Sequence, residues 1–258
     1  MKRIHLFEFE DQEWFPKFLR NYMTDFLQFL SNKAKIYSPI IPLLTETLQS
    51  NQIDTIVDLA SGGGGGLLSL NKELKKHIPD LKILLTDYYP NIPAFKRTKS
   101  LSNNFEYIKN PVDARNVSKN LKGFRSMFLS FHHFRPHDAK KILQNAIDCK
   151  MGIGVFEVQD RSMASIIGML LSPLSVILTT PFIRPFKISR IFFTYLIPIV
   201  PLCVLWDGLV SCFRTYSSTE MESLVNTLEN KGSFNWKIGS KKEKATKVLY
   251  LVGTPKKQ

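Results

Sequence analysis

The chain has 258 residues, 44% of them hydrophobic, and carries 35 Lys and Arg against 22 Asp and Glu, a formal net charge of +13. The apolar content excludes a disordered chain, and the length accommodates one large domain or one domain with an insertion. So large a positive charge selects an anionic partner, whether nucleic acid, membrane surface or acidic substrate. Nucleic acid is the least expected of these. No zinc-finger or RNA-binding signature is present, and aromatic residues do not alternate with the lysines that crowd the chain from Lys231 onward. Cys149, Cys203 and Cys212 are unclustered, which suits a reducing compartment and points to neither a metal site nor a disulfide framework. Glu8, Glu10 and Asp11 stand where a signal peptide needs an apolar core, so a cytoplasmic protein is expected.

Residues 12–31 carry Phe15, Phe18, Leu19, Tyr22, Phe26, Phe29 and Leu30 at helical spacing and predict a helix with a core-facing stripe. A second helix follows Pro39 and runs to residue 49. Strand and helix then alternate. Strands are predicted at 53–59, 82–86, 104–108, 125–131 and 152–158, and helices at 66–77, 91–100 and 137–149. Alternation at this spacing implies a mainly parallel sheet covered on both faces. Residues 219–230 read as a helix capped by Ser218 or Thr219. Residues 233–239 and 245–252 read as two strands joined by a Gly-Ser-Lys-Lys turn region. The expected fold is α/β: a doubly wound, seven-stranded, mainly parallel sheet closed by an antiparallel C-terminal hairpin. Residues 1–50 form an N-terminal helical cover, 51–160 and 214–258 a Rossmann-like cofactor-binding domain, and 161–213 an apolar helical insertion after the fifth strand.

The junction between the first strand and its helix carries the most chemistry. Ile56-Val57-Asp58-Leu59-Ala60 runs into five glycines, Gly62 to Gly66, and then into an apolar-basic helix. Strand, glycine loop and helix bring backbone close to a nucleotide-like cofactor, either NAD or S-adenosylmethionine (SAM). The dinucleotide fingerprint G-x-G-x-x-G fails at its third glycine, where Leu67 stands, and no Tyr-x-x-x-Lys pair is present. Asp87 ends the second strand, where a carboxylate accepts two hydrogen bonds from a ribose diol. Asp113-Ala114-Arg115 follows the third strand, where a carboxylate accepts from an adenine amino group. Phe128 to Phe134 ends the fourth strand, at the edge where ligands of open α/β sheets sit.

With these residues the chain resembles the class I SAM-dependent methyltransferases. Val57-Asp58-Leu59-Ala60-Ser61-Gly62-Gly63-Gly64 looks like that family's first motif, V-L-D-L-G-C-G-T-G. Ala60 replaces the first glycine, a departure that an extended backbone would tolerate. The closing hairpin matches the family's antiparallel seventh strand. The resemblance covers about residues 50–160 and 214–253, and it implies SAM as cofactor. The residues it places at the cofactor are Asp58, Ala60, Ser61, Gly62, Gly64, Asp87, Tyr88, Asp113, Ala114 and Ser130.

Methyl transfer to oxygen or nitrogen needs in-line positioning and removal of a proton, for which histidine is suited. Ser130-Phe131-His132-His133-Phe134, with Ile142-Leu143-Gln144-Asn145 downstream, is similar in spacing to the plant-type small-molecule O-methyltransferases, which carry H-D-W and then I/F-L-x-N. That resemblance gives His132 the position of the catalytic base. His133 takes the place of the acid and Phe134 that of the tryptophan. Glu157, Arg214 and Tyr216 are expected at the substrate side of the cleft.

The stretch 160–217 is anomalous. Residues 163–183 and 191–206 hold no charge, and Arg184, Lys187 and Arg190 lie between them. The first run is long enough to span a bilayer, but Pro173, Pro181, Pro185, Pro198 and Pro201 interrupt both runs. A spanning hairpin would also put the three cations on the far side, against the positive-inside tendency. The insertion is therefore expected to lie in a membrane face with its cations at anionic headgroups, or to form an apolar lid over the substrate. The function expected is SAM-dependent methylation of a small hydrophobic acceptor by a protein peripheral to the cytoplasmic membrane face. A catalytically inactive SAM-fold protein docking on a membrane is the alternative, and an NAD(P)-dependent oxidoreductase is a more distant one.

Overall fold

A computed structural model describes residues 1–257. Helix α1 (Lys17–Lys33) and helix α2 (Ile41–Ser50) precede the sheet. The alternating part follows as β1 (Thr55–Asp58), α3 (Leu67–Leu74), β2 (Lys82–Leu85), α4 (Ile92–Leu101), β3 (Phe105–Tyr107), β4 (Phe124–Phe128), α5 (Pro136–Asp148) and β5 (Ile153–Glu157). The insertion contains α6 (Met163–Leu170), α7 (Ser172–Thr179), α8 (Ile188–Ile191) with a π-helical turn (Phe192–Leu196), and α9 (Ile199–Arg214). Helix α10 (Ser218–Asn226) leads into β6 (Phe234–Glu243) and β7 (Thr246–Pro255).

The seven strands lie in the order β3-β2-β1-β4-β5-β7-β6. Pairing is parallel from β3 to β5, with Ile56 of β1 opposite Ile83 on one side and Phe124 on the other. β7 runs antiparallel to both β5 and β6, as the hairpin pattern predicts. Central strands must be apolar on both faces, and Ile56, Val57, Val155 and Phe156 are fully buried. Each such side chain contributes about 1.5–3 kcal/mol of burial. β4 also buries Arg125, whose Nη1 donates to Asn145 Oδ1 at 2.7 Å. Asn145, the last residue of the I-L-x-N stretch, thus anchors a strand.

The cap of α10 and the turn of the hairpin differ from the sequence expectation. The cap of α10 is Ser217, not Ser218 or Thr219. Its hydroxyl accepts from Glu220 N–H while Glu220 accepts from Ser217 N–H, a reciprocal capping box. The hairpin turns at Lys244 and Ala245, and Gly239 to Lys242 continue β6 paired to Tyr250 through Lys247. Lys244 takes the left-handed φ of 53° that the tight turn requires.

The apolar stripe of α1 packs on the insertion. Leu19, Tyr22, Met23 and Phe26, with Phe15 just ahead of the helix, share a buried cluster with Val176, Ile183, Val200 and Val204. Asp25 of α1 accepts from Arg190 at 2.8 Å and from Lys187 at 3.0 Å. Two of the three cations expected at lipid headgroups are therefore committed to this carboxylate. Among the described residues, no single helix is long and apolar enough to cross a membrane. Two bent pairs reach the required hydropathy, α6 with α7 and its following turn (42°), and α8 with the π-turn and α9 (76°).

Candidate active site

The chain leaves β1 through a strained corner. Ala60 has φ +53°, in the left-handed region, so the extended backbone expected there is replaced by the conformation that the family's glycine favours. An L-residue holds it at a cost of about 1–2 kcal/mol. Gly64 follows with φ +87°, and a Cβ there would also crowd Thr98 at 3.1 Å and Gln28 at 3.3 Å. At Gly66 the reason is proximity alone, since a Cβ would stand 2.7 Å from the Tyr37 ring. α1 grips this loop through its polar side. Gln28 donates to the Gly63 carbonyl at 2.6 Å and Asn32 to the Gly65 carbonyl at 2.8 Å, and Asn32 Oδ1 accepts from Ser69 N–H at 2.7 Å. The glycine run thus serves helix packing as well as ligand approach.

Above the loop, at the carboxyl ends of β1, β2 and β4 where the strand order reverses, lies a cavity of about 960 Å³. This is the switch-point position at which open α/β sheets bind ligands. Ala60, Ser61, Gly62, Asp87, Tyr88, Asp113, Ala114 and Ser130 all line it. Asp87 Oδ2 accepts from Gly62 N–H at 2.8 Å and its Oδ1 from Tyr89 N–H at 2.8 Å, which fixes the carboxylate at the rim. Asp113 binds Arg115 through both oxygens, and these bonds hold its carboxyl below the ordinary range. Two buried hydroxyls among the lining residues, Ser130 Oγ and Tyr37 OH, have no hydrogen-bond partner. Unpaired buried polar atoms are costly, and both of these belong to residues of the cavity wall.

Asp58 and Gly64 are not part of this lining. Asp58 lies beneath the loop, where its Oδ1 accepts from Ser126 at 2.8 Å, and burial pushes its carboxyl up to about 7. It supports the floor of the site and contributes no surface to it.

The histidine pair divides. His132 faces away from the cavity: its Nδ1 lies 3.0 Å from Glu157 Oε2 and 3.0 Å from Gln159 Nε2, and its backbone N–H donates to Glu157 Oε1. The position that the resemblance assigns to the base is thus turned into the protein, with Glu157 beside it. Tyr216 is also drawn inward, donating to the Phe134 carbonyl at 2.8 Å beneath the Arg3 guanidinium. His133 and Arg214 do line the cavity. His133 Nδ1 lies 2.8 Å from Asp11 Oδ1 and 3.1 Å from Glu8 Oε2. Burial opposes its charge, but the two carboxylates prevail and hold the imidazole up at about 10. His133 is therefore an imidazolium at neutral pH and has no lone pair with which to act as a base.

The N-terminal segment supplies the rest of the site. No residue of 161–213 lines the cavity; the cover is built from His5 to Gln12 and from α1, so the insertion is not the lid of this cavity. Asp207 of α9 accepts from the N–H groups of Phe9 and Glu10, and Arg214 donates to Asp11 at 2.6 Å and contacts Glu8 at 3.0 Å. Glu10 is among the lining residues, its Oε1 is buried without a partner, and burial beside Asp207 pushes its carboxyl up to about 8. Glu8, His132 and His133 bring three ligand atoms within 4.8 Å of one another, but Arg214 already satisfies Glu8 with a fixed cation. The signal for this layer is present in the sequence as the acids Glu8, Glu10 and Asp11.

No family model matches the sequence, and no curated protein matches it. Solved structures do match the fold. The plantazolicin methyltransferase BpumL in complex with S-adenosylhomocysteine (SAH) is 13% identical, with a TM-score of 0.54 over 93% of this chain and 97% of that one. The same enzyme with a monoazolic desmethylPZN analog and SAH gives 0.56 at 12% identity, over the same shares of both chains. Human N-acetylserotonin methyltransferase with SAM is 15% identical, with a TM-score of 0.51 over 91% of this chain and 58% of that one. The chain has the fold of the class I SAM-dependent methyltransferases.

Proposed function

We propose that the protein is a SAM-dependent methyltransferase acting at oxygen or nitrogen on a small hydrophobic acceptor. One observation carries this reading: Asp87 and Asp113, at the ends of adjacent strands, flank the glycine loop in a single cavity that also holds the unpartnered Ser130 hydroxyl. Two carboxylates so placed accept from a ribose diol and an adenine amino group, and the loop from Ala60 to Gly65 admits the methionine portion. When bound, SAM supplies an electrophilic methyl group. Solved structures of this fold hold SAM or SAH, which supports the cofactor.

Leu6, Phe7, Leu27, Phe128, Leu129 and Phe134 give the remaining wall its apolar character and favour a lipophilic acceptor. Glu10, rather than His132, is the group suited to accept a proton from that acceptor. It is a residue of the cavity wall, and its pKa of about 8 is matched to base work near neutral pH. His133 and Arg214 place fixed positive charge at the same end, which favours the carboxylate form of neighbouring acids and an anionic acceptor oxygen. The free thiols Cys149, Cys203 and Cys212 support a cytoplasmic location.

Calorimetric titration with SAM, SAH and NADH tests the cofactor, and transfer of labelled methyl from SAM into a total lipid and quinone extract tests the reaction. Binding of SAH with methyl incorporation is expected. Binding of NADH alone would overturn the cofactor. Binding of SAH with no transfer to any fraction would favour the inactive docking protein.

A further inference from the structure

The geometry points to the insertion as a docking face for an anionic lipid bilayer, in which α6, α7 and the corner before α9 sit in the interface without crossing it. Helix α6 contains no charged residue and no buried one. Apolar side chains without a protein partner are unusual for a helix in water. Met163, Ile167, Leu170, Leu171, Leu174 and Leu178 are each more than half exposed, and Ile188 and Leu196 are 79% and 71% exposed. These elements pack on one another, with α7 and α6 against α9 and Tyr195 OH bonded to the Ile177 carbonyl at 2.5 Å, so their exposed sides form one face. Contiguous apolar surface of this extent marks an interaction site.

Charge identifies the occupant. Residues 161–206 contain Arg161, Arg184, Lys187 and Arg190 and no Asp or Glu. Asp25 takes up Arg190 and Lys187, and Glu220 takes up Arg161, which leaves Arg184 exposed on an otherwise uncharged face. A second copy of a chain with net charge +13 is repelled, whereas an anionic bilayer is attracted. No single helix of the insertion is long enough to span, and the bends of 42° and 76° between the paired helices suit an in-plane seat. Phe7, on the cavity wall, packs its ring 5.2 Å from that of Trp206, tilted by 36°. A lipophilic acceptor would then pass from the bilayer to the cavity beside these two rings. That last step rests on the proposed methyl transfer; the docking does not.

Excising residues 163–206 would strip α1 of its buried cluster, so surface substitutions are the cleaner test. The full-length protein and the triple variant Ile167→Glu, Leu171→Glu, Leu178→Glu are floated with vesicles of phosphatidylcholine alone and of phosphatidylcholine with 30% phosphatidylglycerol. SAH titration, thermal melting and sedimentation are run on the same samples. Wild type is expected to float with both vesicles and at least threefold more with the anionic ones. The triple variant is expected to lose binding at least tenfold while its SAH affinity and melting temperature stay unchanged. Equal flotation of both proteins, or no flotation of wild type, would overturn the docking. So would a wild-type dimer that the same substitutions dissociate, since a second copy would then occupy the face. Methyl transfer plays no part in these readouts, so a failed activity assay leaves them interpretable.

Discussion

Gln28 Nε2 donates to the Gly63 carbonyl at 2.6 Å, from the helix that also packs on the insertion. The contact joins the cofactor loop to the N-terminal cover, and Gln28 is itself held by Arg97, which donates to its Oε1 at 3.3 Å. Replacing Gln28 by Leu leaves the buried Gly63 carbonyl unpaired, at a cost of about 1–3 kcal/mol. The variant Gln28→Leu is therefore expected to unfold at lower denaturant with an unchanged slope, and to bind SAH at least tenfold more weakly. Undiminished SAH affinity would show that the loop keeps its shape without α1.

Ala60 offers a test of opposite sign. Its φ of +53° costs about 1–2 kcal/mol for an L-residue, while a glycine in its place would add about 0.4–1 kcal/mol of unfolded-chain entropy. The first effect is the larger, so Ala60→Gly is expected to stabilise the protein and raise its melting temperature by roughly 1–4 °C. A fall in melting temperature would show that the Ala60 methyl makes contacts worth more than the strain.

These two residues also show what could be read from the sequence. The alternation of strands and helices, the closing hairpin and the ligand edge of the sheet follow from hydrophobic periodicity and turn chemistry, which act locally and leave a mark in the chain. The loop could be located but its conformation could not, because the left-handed turn at Ala60 is imposed by Ser61 N–H bonding to the Thr86 carbonyl on the next strand. The split between His132 and His133 was equally hidden. It is decided by Glu8 and Asp11, more than a hundred residues away in sequence, and by Glu157 across the sheet. Motif spacing located the pair but carried no information about which ring meets the cavity.

The same buried acids govern pH dependence. Burial lifts Asp58 and Asp207 to about 7 and Glu10 to about 8, while Glu8 and Asp11 outweigh burial to lift His133 to about 10. Each folded value lies above the ordinary one, so the folded state binds extra protons. The stability that these groups supply is complete below their ordinary values and is lost as pH rises through the folded ones. Asp11 and Asp160 are shifted the other way, and their contribution is lost on acidification below the ordinary 3.8. Stability is therefore expected to peak on the mildly acidic side and to decline through pH 10. Between the Glu10 value and the His133 value only His133 of these groups still titrates, so His133→Gln should flatten the melting curve there. A wild-type melting temperature that rises from pH 8 to about 10 would contradict the sign of the His133 shift.

Glu10 carries the catalytic side of the proposal. A general base contributes about 10²–10⁴ in rate, and a carboxylate that forms only near pH 8 imposes its own titration on turnover. The kcat of wild type is expected to climb with unit slope toward pH 8 and then level, measured where melting shows the protein still folded. Glu10→Gln keeps the size of the side chain and cannot accept the proton, so kcat should fall at least a hundredfold and the rising limb should vanish, with SAH affinity unaltered. Glu10→Asp restores a carboxylate on a shorter arm and should recover the limb at reduced rate. A Glu10→Gln enzyme with the wild-type pH profile would return the proton to another group at the cavity wall. His132→Gln would then be the next comparison, because its Nδ1 is engaged by Glu157 while its Nε2 lies 3.9 Å from Glu8, a residue of the same N-terminal cover.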